Sequence, residues 1–173
     1  MNNHQLIQML HETNPEQNYD TNLIKGYSDQ EIQKMERLYD VKITGELYEF
    51  LIFMGRCSGG FMGDYPLMFY RENRTIRSHF FAQAGIREVL QDLKMYEFFD
   101  EKSFLISIES ETQYYFLLTK SENPNLVYHY DENTETVKAT ALTFNEYLKH
   151  IMKEIVPTYI VKDLVQRGEM IEI

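Results

Sequence analysis

At 173 residues, with 43% hydrophobic and 25% charged side chains, the chain can bury one core without staples and reads as a single domain with short flanks. Acidic residues outnumber basic ones 27 to 17, for a net charge of −10. That average repels a phosphate backbone, argues against direct nucleic-acid binding, and favours encounter with a basic partner. Cys57 is the only cysteine, which excludes an intrachain disulfide and a four-thiolate metal site. No run approaches about 18 apolar residues, so no membrane span is expected. The opening MNNHQLIQML carries neither a basic leader nor the apolar run of a signal peptide, so the cytoplasm is the expected compartment.

In chain order, residues 3 to 12 place Leu6, Ile7, Met9 and Leu10 on a short amphipathic helix. The Asn-rich ETNPEQNYDTN then reads as a loop, and residues 1–25 together as an appendage. SDQE is a capping box, Ser28 with Glu31, opening a helix that buries Ile32, Met35 and Tyr39. Residues 45 to 55 repeat apolar positions at Leu47, Phe50, Leu51 and Met54, one face of a second helix stopped by Gly55. The glycine-dense RCSGGFMGDYP is a loop, LMFY a predicted strand, and 83 to 97 a further helix with Ile86, Val89, Leu90 and Leu93 on one face.

From Phe104 the period changes. FLISIE, QYYFLLT, LVYHYD and TVKAT are short β-rich runs joined by hairpin-length connections. TFNE, Thr143 with Glu146, is a second capping box, opening a helix to Val156 that turns Phe144, Tyr147, Leu148 and Ile151 inward before Pro157. Residues 157–173 form a tail with a short helix ending at Gly168. The expected fold is α+β, with N-terminal helices and a C-terminal helix packed on an antiparallel β-meander over 26–156, the helices segregated on one face of the sheet. The second run, with apolar residues on both faces, implies a central strand covered at least partly on both sides. Its aromatics therefore belong to the core rather than to a stacking platform for bases, since burying one such side chain is worth about 1.5–3 kcal/mol.

Motifs that carry chemistry elsewhere are weak here. GRCSGGFMG follows a helix and lacks the Lys-Ser/Thr pair of a phosphate loop. Cys57 has Arg56 beside it but no base in a local signature. Arg71, Arg74 and Arg77 are three apart, with Arg87 beyond them, and read as a solvated or salt-bridged stretch or as an anion contact. Glu109 and Glu111 would share one face of a strand, but at a hairpin rather than across a cleft. The five histidines show no metal-ligand spacing, and no pattern implies a cofactor. The charge distribution is more informative: from Asp92 to Glu135 ten carboxylates stand against three lysines, a net of −7. Asp131, Glu132 and Glu135 fall at one predicted turn and Glu109 and Glu111 at another, which reads either as ordinary solvated hairpin tips or as an acidic surface for a basic partner.

GYSDQEIQKMERLYDVKITGELYEFLIFMG, with Glu31, Ile32 and Glu36 in one helix and Phe50, Leu51 and Gly55 in the next, resembles the N-terminal signature of the SUKH superfamily. LVYHYD is similar to that family's Val-Tyr-x-Tyr-Asp strand at Val127 to Asp131, and ALTFNEYL, Ala141 to Leu148, to its closing helix. The likeness covers 26 to 56 and 104 to 148. Ile43 and Thr44 replace the family's Leu-Pro, with Thr44 expected to serve as the helix cap, and Thr143 replaces a Ser. The resemblance implies a non-enzymatic bacterial immunity protein that binds and neutralises a cognate toxin, in many cases a nuclease. Glu109, Glu111, Asp131, Glu132 and Glu135 are the expected contacts, joined by Asp64 and Tyr65 at the tip of the glycine loop. A regulatory scaffold related to cell-wall synthesis and a small hydrolase are the alternatives, and the oligomeric state stays open.

Overall fold

A computed structural model describes residues 3–62, 67–70, 76–155 and 170. Ser28 opens the first long helical hairpin: its side chain accepts from the Glu31 N–H, while Glu31 Oε2 accepts from the Ser28 N–H at 2.6 Å. The helix they cap, α2 (Asp29–Tyr39), buries Ile32, Met35 and Tyr39. It follows α1 (Asn3–Thr13) and a 3-10 turn at Thr21–Leu23. The stretch expected as an appendage packs into the same core, with Leu6, Met9 and Leu10 buried. Asn14 Nδ2 ties it to the far end of the chain by donating to the carbonyls of Met152 and Ile155.

Helix α3 (Gly45–Met54) buries Leu47, Phe50, Leu51 and Met54. Thr44 stands at its N-cap position, but its side chain makes no capping bond. Instead Asn125, from a distant hairpin, presents Oδ1 to the Glu46 N–H at 3.0 Å. Gly45 makes room for that reach: its φ is +60°, and a Cβ there would lie 2.3 Å from Asn125 Oδ1.

Two further expectations need correction. LMFY is not a strand: Leu67 forms a single bridge to Ser107 and residues 68–70 turn away. All four are buried because Phe69 and Tyr70 pack against Phe50, and the Tyr70 hydroxyl donates to the Met54 carbonyl. The helix expected over 83–97 is two helices, α4 (Ile76–Asp92) and α5 (Tyr96–Asp100). Lys94, at φ +60°, breaks it, with Lys94 N–H on Gln91 O and Met95 N–H on Leu90 O, the paired bonds of a left-handed helix stop.

The sheet is an antiparallel meander, β1 (Ser103–Glu109), β2 (Gln113–Leu118), β3 (Leu126–Asp131) and β4 (Thr136–Thr143), in that spatial order. A second capping box, Thr143 with Glu146, opens α6 (Phe144–Glu154). The fold is α+β with helices packed on the sheet, but they lie on both faces. Tyr115 stacks on Tyr147 of α6, whereas Phe98 of α5 meets Phe116 and Tyr128 on the opposite side. The apolar residues on both sides of β2 are thereby accounted for, and Phe116, Leu117 and Leu118 are all buried.

The β1 edge is closed by side chains of α4 and by a backbone bond from Met68. Gln83 of α4 donates to Leu105 O at 2.8 Å and accepts from Leu105 N at 2.7 Å. Arg87 donates twice to Ser103 O, and Met68 N–H donates to Ile106 O. An edge strand sealed in this way offers no ladder to a neighbouring chain.

Candidate functional site

In an up-and-down meander, alternate turns fall at the same end of the sheet. The β1–β2 turn and the β3–β4 turn are therefore neighbours, held by the Gln113–Asp131 pairing of β2 with β3 and by the Glu132 N–H donating to Thr112 O at 2.9 Å. This register gathers Glu109, Glu111, Asp131, Glu132 and Glu135 at one end, although 26 residues of sequence separate the first from the last.

Each carboxylate has its own setting. Asp131 Oδ1 accepts from Gln113 Nε2 and from the Asn133 backbone N–H, both at 2.9 Å. The Gln113 bond first, then those from Asn133 and Thr134, hold the Asp131 carboxyl below the ordinary aspartate range, so its charge persists into mildly acidic solution. Glu132 is exposed and accepts from the Tyr114 hydroxyl at 3.0 Å. Burial, and then this bond to a carboxylate, raise the Tyr114 hydroxyl above its usual range and keep it a donor. Glu135 and Glu111 are exposed at the tips in left-handed backbone, with φ of +51° and +64°. Glu109 is half-buried, and its Oε1 accepts from the Tyr147 hydroxyl at 2.9 Å.

Glu109 and Glu111 do not share a strand face. β1 ends at Glu109, and Ser110 and Glu111 both turn left-handed. Asp64, Tyr65, Arg71 and Arg74 lie outside the described residues, as does the tail helix expected before Gly168. Arg77 lies over the Phe81 ring, 5.4 Å from its centroid, and Arg87 serves the β1 edge. Cys57 is 2% exposed, and its Sγ accepts from the Gly59 N–H. Among the described residues no group of three or more His, Cys, Asp or Glu is placed to hold a metal ion, and no helix is long and apolar enough to cross a membrane.

Residue-by-residue reading of the sequence misses the neutral organisers of this end. Gln113 donates to Asp131 and to Thr112 Oγ1 through Nε2, which leaves Oε1 as the acceptor for His129 Nε2 at 2.6 Å. His129 in turn stacks on Tyr115 at 4.7 Å. The histidine is thus a satisfied member of the sheet, and the aromatics beside it are buried or partly buried and packed on one another. Only the strand register, which pairs Gln113 with Asp131 and Tyr115 with His129, would have exposed these partners.

Comparisons with protein-family models, with curated proteins and with solved structures each return no match for this chain.

Proposed function

We propose that this chain is a cytoplasmic, non-enzymatic immunity protein of the SUKH type that neutralises a cognate toxin domain by covering a basic cleft with the acidic end of its sheet. One observation carries the reading: the meander gathers part of a dispersed acidic excess at one end of the sheet, with Glu111, Asp131, Glu132 and Glu135 on two adjoining turns. A nuclease cleft is positive because it must hold phosphate, and an array of carboxylates competes for that field. The hydrogen bonds to Asp131 and Glu132 fix those side chains before contact, which lowers the ordering cost of association.

The test is co-expression with a toxin domain from a gene neighbouring this one, followed by isolation of the complex. Protection and a complex stable at physiological salt are expected; a toxin that kills its host regardless, and fails to co-purify, overturns the reading. In the complex, Asp131→Lys with Glu132→Lys should slow association about tenfold or more, since opposed charges act mainly on the encounter rate. An unchanged rate would remove this end from the interface.

A further inference from the structure

Beside the acidic end lies a groove that the carboxylates do not explain. On the strand face opposite α6, Phe98 of α5 packs against Phe116 and Tyr128. Further along, Ile108, Tyr114 and Tyr130 of the sheet and Ala82, Gly85, Ile86 and Val89 of α4 enclose a groove of about 240 Å³, with Glu132 at its mouth. Gly85 leaves it open: a Cβ there would meet no atom within 4 Å. The walls are apolar and aromatic, the rim is a carboxylate, and among the described residues no basic side chain lines it.

We propose that this groove takes a long basic side chain, lysine or arginine, from the partner protein, its methylene stem against Gly85, Ile86, Val89 and Ile108 and its charge against Glu132. The inference rests on the reading of this end as a partner surface and names the anchor that surface would use. Charge complementarity selects the occupant. A wholly apolar side chain would leave the charge of the mouth carboxylate without a cation, and a short cation would leave the apolar walls unfilled. Tyr114 and Tyr130 add ring faces that attract a cation. Glu132 accepts the Tyr114 hydroxyl at one oxygen, which orients the carboxylate while its charge and its second oxygen remain for a guanidinium or ammonium.

The full chain, labelled with ¹⁵N, is titrated with n-butylguanidinium, with n-butanol (stem without charge) and with guanidinium (charge without stem). Saturable shifts at the Gly85 and Ile108 amides are expected with n-butylguanidinium at a concentration at least threefold below either fragment. Glu132→Gln should weaken that binding at least threefold, and Gly85→Leu, which fills the groove, should abolish it. Equal binding of n-butanol, indifference to Glu132→Gln, or no saturation at these amides would overturn the proposal. The titration needs no toxin, so its failure is separable from failure of the immunity reading. A complex whose affinity is unchanged by Gly85→Leu would also overturn the anchor while leaving protection intact.

Discussion

Asn125 does for α3 what the adjacent Thr44 was expected to do. Because the Asn125 side chain accepts from the Glu46 N–H and Thr44 makes no capping bond, their truncations should differ. Asn125→Ala should cost about 0.5–2 kcal/mol, the usual loss for a helix cap, while Thr44→Ala should stay within about 0.5 kcal/mol, the range of an ordinary surface change. Urea unfolding of the two variants measures both, and equal losses would show that Thr44 shares the cap. At the acidic tip, Glu111 holds φ +64° without being glycine, a conformation that costs an L-residue about 1–2 kcal/mol. Glu111→Gly should therefore raise stability by up to about 1 kcal/mol, once glycine's greater unfolded-state entropy is subtracted, while removing one charge from the proposed interface. Asp131 supplies a pH test. Its carboxyl is lowered chiefly by the Gln113 bond, so its contribution to stability is present above the unfolded aspartate value, about 3.9, and is lost as pH falls through the lower folded value. Carboxyl NMR titration should place Asp131 below that reference, and Gln113→Ala should move it back up.

At the scale of elements, the joint between α4 and β1 has the most at stake. Gln83 is 3% exposed and satisfies both backbone groups of Leu105. Gln83→Leu keeps the volume but strands a buried N–H and a buried C=O, so a loss of about 2–6 kcal/mol is expected at roughly 1–3 for each unpaired group. Hydrogen exchange at the Leu105 amide should accelerate more than at the centre of β2; unchanged exchange there would mean that the edge is protected some other way. Much of the element layer was legible in advance. Capping boxes at Ser28 and Thr143 and short β-rich runs between hairpin-length connections are local signals, written within a few residues of the structure they set. The end of α4 was not legible, because Lys94 takes the left-handed stop usually marked by glycine. Nor was the turn at Met68–Tyr70, whose buried aromatics look like a strand when their partners on α3 are unknown.

For the molecule as a whole, distant parts of the chain close on one another. The Tyr39 hydroxyl donates to Met170 O at 2.6 Å, and the Tyr27 hydroxyl accepts from Met170 N at 2.8 Å. Burial pushes the Tyr39 hydroxyl well above its ordinary range, so it stays a donor. Tyr39→Phe should cost about 1–2 kcal/mol, one hydrogen bond and a carbonyl left without it. Met170→Ala should cost about 2–5 kcal/mol through the cavity left by a side chain that is 1% exposed. If both are neutral in thermal unfolding, residue 170 does not hold the core closed.

Composition, capping residues and hydrophobic period were enough to determine an α+β chain with its strands in the second half and an acidic excess around them. Those properties are set by neighbours along the chain, at separations of two to four residues. Which carboxylates stand together, that Gln113 and Tyr114 organise them, that α4 crosses to the second face of the sheet and that Gly85 leaves a groove there were decided only by tertiary structure. Each depends on the register between strands or on the path of a helix over a sheet. Such choices are fixed by packing among side chains far apart in sequence, where no local pattern records the partner.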